Sequence, residues 1–218
     1  VLPGALVDII ITDYDGVDPT DADNALLRAK YIRFLQHIYN YVWNVREWEW
    51  TYKESALSMA AAANSVALPT DFQSIGSHGS LYQGTLRFTP RPRYYVERLR
   101  GEGGLQSTVF SVWGSKVQIP YTVSAITAFT LFHRFMPETM VDGPAEEPPA
   151  PPTDMLIPER YVHTVLLPGL IFRSQEKKQD ARKTWSDQFN AGLTQMASEE
   201  NPGKFESARM PLAVRGGW

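Results

Sequence analysis

The run of apolar and aromatic residues between Ala22 and Tyr52 constrains this chain more than any other stretch. Leu26, Ala29, Ile32, Phe34, Leu35, Ile38, Tyr39, Tyr41, Val42 and Val45 recur at three- and four-residue spacing. That period predicts one long helix with a broad buried face. Asp21 or Asp23, beside Pro19 and Thr20, is placed to cap its start. At about 1.5 Å per residue, some thirty residues would span roughly 45 Å. Such a helix needs partners along its length, from its own chain or from neighbouring copies. Its far end is a Trp-x-Trp, Trp48-Glu49-Trp50, after which the pattern turns strand-like.

Before the helix, residues 4–11 are apolar and compatible with either a helix or a strand, and residues 13–19 are rich in turn formers. After it, residues 84–132 read mainly as β. Leu86 and Phe88 alternate, Pro92 starts a short helix over residues 94–99, and Gly101 breaks it. Residues 108–113 and 116–121 form the clearest hairpin, and the two-residue Gly114-Ser115 turn between them suits type II′ geometry. Residues 126–135 add another strand, and the spacing suggests a small antiparallel sandwich or partly open barrel. The segment GPAEEPPAPP, residues 143–152, is a stiff polyproline-type connector. Ile157-Pro158-Glu159-Arg160 then opens a helix that Pro168-Gly169 kinks or splits, and Ala181, Trp185, Phe189, Leu193 and Met196 stripe a last one.

The expected fold class is therefore α+β: a long-helix bundle formed by the N- and C-terminal parts, with an inserted small antiparallel β lobe. The corresponding boundaries are 1–52 for the first bundle part, 53–140 for the lobe and 141–153 for the linker. Residues 154–200 form the second bundle part, and 201–218 an extended docking arm.

A chain of 218 residues holds one sizeable core, or a core with an appended lobe. A net charge of −3 argues against a protein whose main task is gripping phosphates. With no cysteine, disulfides, a thiolate nucleophile and zinc–thiolate sites are excluded. No apolar run approaches the roughly 18 residues of a membrane span, and the first residues lack the basic region of a secretory signal. Six tryptophans point to large buried contacts or interfaces.

One stretch invites a catalytic reading. An apolar segment followed by Asp13-Tyr14-Asp15-Gly16 resembles the first motif of haloacid-dehalogenase-type phosphatases. There the resemblance implies Asp13 as nucleophile and Asp15 as acid/base, with Mg²⁺. That family also needs alternating strands and helices, a Ser/Thr after a second strand, a Lys and a late acidic pair, and no Asp-Asp pair follows strand-like residues here. Calcium binding by Asp13, Asp15 and Asp18 lacks its twelfth-position Glu, since Asn24 stands there. A capped, solvated turn is the simpler reading. His37, His78, His133 and His163 are isolated from one another, and no phosphate-cradling loop or nucleophile elbow is present. No catalytic, cofactor-binding or metal-binding residues are assigned, and no cofactor is expected. Arg87, Arg91, Arg93, Arg98 and Arg100 interleave with Tyr94 and Tyr95. This pattern suits a nucleic-acid surface or, better in an acidic chain, a face that pairs with an acidic neighbour.

The order of features resembles the head-to-tail adaptor (connector) proteins of tailed bacteriophages, of the tail tubular A or gatekeeper type. It rests on a helix ending near Trp43, Trp48 and Trp50, and on Leu68-Pro69-Thr70-Asp71-Phe72 followed by Ile75. A β region, the Ile157-Pro158-Glu159-Arg160-Tyr161 helix entry and a last helix rich in Lys, Asp and Ala complete it. The resemblance spans about residues 20–197. It implies a non-enzymatic structural virion protein at the head–tail junction, made in the bacterial host cytoplasm. The implied ring of twelve copies joins the portal protein to a tail or nozzle protein and lets DNA pass during ejection, touching it transiently and without sequence preference. No membrane is involved. A stopper or tail-terminator ring is the alternative. Within this reading Phe205, Met210, Leu212, Val214 and Trp218 are the expected portal-docking residues. Arg87, Arg91, Arg93, Trp185 and Phe189 are expected to face a neighbouring subunit.

Overall fold

Tyr52 to Phe135 is built around one strand. Thr127–Phe135 (β8) is nine residues long, and its odd-numbered Phe129, Leu131 and His133 point inward. On one side it pairs residue for residue with Tyr52–Met59 (β1), from Tyr52↔Arg134 to Met59↔Thr127. It also pairs with Phe72–Ser74 (β3) and Ser80–Gln83 (β4). The path continues through Leu86–Pro90 (β5), Val109–Trp113 (β6) and Lys116–Gln118 (β7) to Ser65–Ala67 (β2). Its two ends, β1 and β2, come close to each other, so the eight-stranded sheet is nearly closed and barrel-like. Closure hides edge strands from unwanted pairing. Leu81, Phe88 and Leu131 form a fully buried row across three strands, and Phe88 meets Phe129 edge-on at 5.8 Å.

The structure, a computed structural model, describes residues 3–18, 20–103, 107–137, 139–140, 156–174 and 179–200. The chain divides into two compact units, Val1–Arg46 with Glu138–Trp218, and Glu47–Pro137. The expected polyproline linker lies outside the described residues, as does the expected C-terminal arm.

The helical unit starts with Pro3–Ile10 (α1), which runs into a π-helical turn, Ile11–Asp15, closed by Gly16 at φ 69°. Ala25–Val45 (α2) buries Ile32, Leu35, Tyr39 and Val42. A second π turn, Val162–Leu166, leads into Leu167–Ser174 (α4), and Gln179–Glu200 (α5) follows. Pro168 has no N–H to offer the Thr164 carbonyl four residues earlier. That carbonyl faces Gly192 of α5, where a Cβ would collide with it. Gly169 likewise lets Ile38 and Phe189 close in, at 2.8 and 2.9 Å from where its Cβ would stand. Tyr161 Oη donates to Glu199 at 2.8 Å and Arg160 to Glu200 at 2.8 Å, tying the π turn's entry to the end of α5.

The expected long-helix bundle with a small antiparallel lobe is overturned. The architecture is mixed α/β, with the eight-stranded sheet as a major element and, among the described residues, five α-helices of 8 to 22 residues. Residues 22–52 are not one helix. A 3-10 turn, Ala22–Asn24, precedes α2, whose 21 residues span roughly 32 Å. Arg46 is extended, at φ −154° and ψ 163°, and Glu49–Thr51 makes another 3-10 turn before β1. The break has a packing cause. Trp48 is fully buried and stacks on Trp50 at 6.4 Å, and the Thr51 hydroxyl donates to the Trp48 carbonyl at 2.6 Å. The sheet is not purely antiparallel either. β5 and β6 run parallel, because their connection carries a helix, Arg93–Gly101 (α3), long enough for a crossover.

The 113–116 hairpin forms with a different turn from the one expected. Gly114 (φ 56°) and Ser115 (φ 59°) are both left-handed, which is type I′. The Ser115 carbonyl accepts the Leu68 N–H at 3.0 Å, an anchor that holds the serine in this unfavourable region. The Leu68 to Phe72 motif acts within the fold. Phe72 N–H closes a turn on the Pro69 carbonyl at 3.1 Å, Asp71 ion-pairs with Lys53, and its carbonyl accepts Met136 N–H at 2.7 Å.

Candidate interaction surface

The sequence Pro90-Arg91-Pro92-Arg93-Tyr94-Tyr95 ends a strand and starts a helix. Arg91 N–H donates to the Phe110 carbonyl at 2.8 Å, the last bond of the parallel β5–β6 pair. Pro92, at φ −56° and ψ 148°, is the helix cap, and its ring fixes the entry direction of α3. One turn of α3 is held by the fully buried Val96, while Arg91, Arg93, Tyr94, Glu97 and Arg98 stay exposed. Arg98 and Arg100 lie in the last turn, where the helix dipole favours cations.

The exposed face is organised by stacking. Arg91 and Arg98 both lie over the Tyr95 ring, at 5.9 and 5.0 Å from its centroid. Arg93 lies over the Trp113 ring at 4.7 Å and donates to Glu97 at 2.5 Å. Each such cation–π contact is worth about 0.5–1 kcal/mol at an exposed site. Trp113 remains 55% exposed and Tyr94 70%. Arg and large aromatics on one exposed face are the composition of interface centres. Arg87 sits at the start of β5 and turns its Nε to the Ser80 hydroxyl at 2.9 Å, and Arg100 donates to the Ile119 carbonyl at 3.0 Å. The structure thus joins Arg93 to Trp113, a partner that sequence reasoning missed. The available signal was an outward-facing tryptophan at the end of a hairpin strand.

The other expected neighbour-facing residues lie on α5. Trp185 is half-buried, and Phe189 is 7% exposed and packs on Tyr41 at 6.0 Å. Phe189 also lines a cleft of about 170 Å³ with His37, Tyr41, Phe172, Arg173 and Arg182. Phe205, Met210, Leu212, Val214 and Trp218 lie outside the described residues.

The Asp13–Asp15 segment follows a helix and not a strand, so it lacks the scaffold of the phosphatase motif. Asp15 accepts the Tyr31 hydroxyl at 2.6 Å, and burial together with that carboxylate pushes the Tyr31 phenol well above its ordinary value. Asp18 accepts the hydroxyl and N–H of Thr20, which hold its carboxyl below the usual range. His133 is fully buried, donating from Nδ1 to the Arg134 carbonyl and accepting the Ser55 hydroxyl at Nε2. His78 sits edge-on to Tyr52, and His163 is exposed. Among the described residues, no three His, Asp or Glu side chains gather in a group that could hold a metal.

The geometry is that of surfaces and stacked contacts, on both units. No curated protein matches the chain. A family model described as SU10 adaptor protein matches residues 5–215, nearly the whole chain. The chain belongs to the SU10 adaptor protein family, structural components of bacteriophage particles.

Proposed function

We propose that this protein is a head-to-tail adaptor: a ring of twelve copies that joins the portal of the capsid to the tail and lets DNA pass. The observation that carries this reading is the family match over residues 5–215, which takes in both compact units. The order of the Trp-rich, Leu-Pro-x-Asp-Phe and Ile-Pro-x-x-Tyr segments supports the tail tubular A or gatekeeper type within it. Its partners are then the portal protein, a tail or nozzle protein and further copies of itself, with transient contact to passing DNA. It is made in the host cytoplasm, works in the virion and catalyses no reaction. No helix among the described residues is long and apolar enough to cross a membrane.

Ring formation needs two different surfaces on each copy, since head-to-tail contacts close a ring only when rotation brings the last copy to the first. The Arg87, Arg91 and Arg93 segment with Trp185 and Phe189 supplies the neighbour-facing surfaces in this reading. Phe205, Met210, Leu212, Val214 and Trp218 supply the portal-docking arm. Electron microscopy of the assembled particle tests it. Twelvefold rings abutting the portal are expected, whereas sixfold rings placed further along the tail axis would identify a stopper or tail terminator instead.

A further inference from the structure

Charge is divided unevenly along this chain. Residues 47–137 carry eight Lys or Arg against six Asp or Glu, a net of +2, and the remainder carries thirteen against eighteen, a net of −5. Within the basic part the excess gathers around α3. Within the acidic part, Asp13, Asp15, Asp18, Asp21 and Asp23 fall within eleven residues and are all exposed. Among the described residues, these carboxylates accept hydrogen bonds from neutral donors: Tyr31 Oη to Asp15, the N–H and hydroxyl of Thr20 to Asp18, and Asp23 N–H to Asp21. Immediately after them Leu26 stands 84% exposed at the start of α2.

The two regions complement each other in kind. One presents cations stacked on aromatics, Arg91 over Tyr95 and Arg93 over the exposed Trp113, with the exposed Tyr94 between Arg93 and Tyr95 in the sequence. The other presents aspartates ending in an exposed apolar side chain. We infer that the Arg91–Arg93–Trp113 face of one copy receives the aspartates and Leu26 of a second copy, as a head-to-tail contact. This rests on the ring reading and names the two faces that make the ring. Opposite charges accelerate and orient such encounters, the apolar centre slows dissociation, and Leu26 against Tyr94 and Trp113 supplies that centre. Exposed charges separated by more than about 8 Å are screened at physiological salt, so the contact weakens as salt rises.

Charge reversal in the full-length chain tests it. Arg91→Glu with Arg93→Glu reverses one face, and Asp13→Lys with Asp21→Lys and Asp23→Lys turns the five aspartates of the other from −5 to +1. Circular dichroism checks that each variant folds. Each set alone is expected to weaken self-association, followed by sedimentation velocity, by about tenfold or more, since like charges then face each other. An equimolar mixture of the two variants restores association, because every reversed face then finds a complementary one. Single-face variants that associate like the unchanged protein overturn the inference. So does a mixture no better than its components. Retention of duplex DNA that Arg91→Glu with Arg93→Glu abolishes, with self-association untouched, overturns it in favour of a nucleic-acid surface. A chain that stays monomeric at every salt and protein concentration also overturns it, and twelvefold density on portal-bearing particles would then still uphold the adaptor reading.

Discussion

Gly76 lies directly against the phenol of Tyr52: a Cβ at this position would overlap the Tyr52 hydroxyl and its ring carbon. The glycine is also left-handed, at φ 63°. The phenol it clears is in use, donating to Glu47 at 3.0 Å, and the same carboxylate oxygen accepts the Ser77 N–H at 2.9 Å. This clamp fastens the start of β1 to the turn before β4.

Gly76→Ala is therefore expected to cost about 2–4 kcal/mol, from backbone strain and the displaced phenol together. Urea denaturation of the variant against the unchanged protein measures it. Tyr52→Phe, which removes only the hydroxyl, should cost about 1 kcal/mol. Equal losses for the two would show that the turn can move aside.

Acid should loosen the β unit through two carboxylates. Burial pushes Glu47 up, but hydrogen bonds from Ser77 and Tyr52 and the charge of Arg134 outweigh it and hold the group below its ordinary 4.5. Asp71 is pushed up by burial and held below its ordinary 3.8 by Lys53. A carboxyl depressed by folding stabilises the folded state fully above its unfolded value, and this contribution fades as pH falls through the folded value. The melting temperature should thus fall as pH drops below 4.5. The double variant Glu47→Gln, Asp71→Asn should melt lower at pH 7 and show a flatter acid limb. A limb as steep as that of the unchanged protein would place the acid sensitivity elsewhere.

The two glycines of the helical unit should not respond alike. At Gly192 an added methyl meets the backbone carbonyl of Thr164, which cannot turn away, whereas at Gly169 it meets the ends of the Ile38 and Phe189 side chains. Gly192→Ala is expected to cost about 3 kcal/mol or more and Gly169→Ala about 1–2 kcal/mol, as overpacking usually does. Thermal melts of the two variants rank them. The reverse order would mean that α5 shifts along the π turn at little cost.

Removing residues 202–218 is expected to leave the fold intact and to abolish portal binding, the removed stretch carrying Phe205, Met210, Leu212, Val214 and Trp218. Co-sedimentation with purified portal rings reads the binding, and circular dichroism reads the fold. Binding at full strength would remove the arm from the contact.

Much of the local structure is legible without coordinates. Pro92 announces a helix start because its fixed φ suits the first turn, and α3 begins at Arg93. Gly114-Ser115 between alternating residues announces a hairpin, and Trp113 pairs with Lys116 across it. The type of turn was not legible. Both II′ and I′ tolerate glycine first, and the choice rests on Ser115 being held by Leu68, 47 positions earlier. The length of the helix at Ala22 was overread for a similar reason. The expectation carried it on to Tyr52, but the helix ends at Val45, Arg46 is extended, and the fully buried Trp48 belongs to the other compact unit.

The candidate surface divides in the same way. Its charges are visible in the chain as a run of arginines, while its centre, Trp113 under Arg93, comes from a strand twenty residues further on. Propensity, capping and periodicity act between residues a few positions apart, so the chain by itself determined where helices start, where the hairpin turns and which residues carry charge. Pairing and burial act between residues far apart, at a cost in chain entropy that only the assembled set of contacts offsets. That set paired β8 with β1, β3 and β4, brought β1 beside β2 to nearly close the sheet, and made Asp71 a structural partner of Lys53.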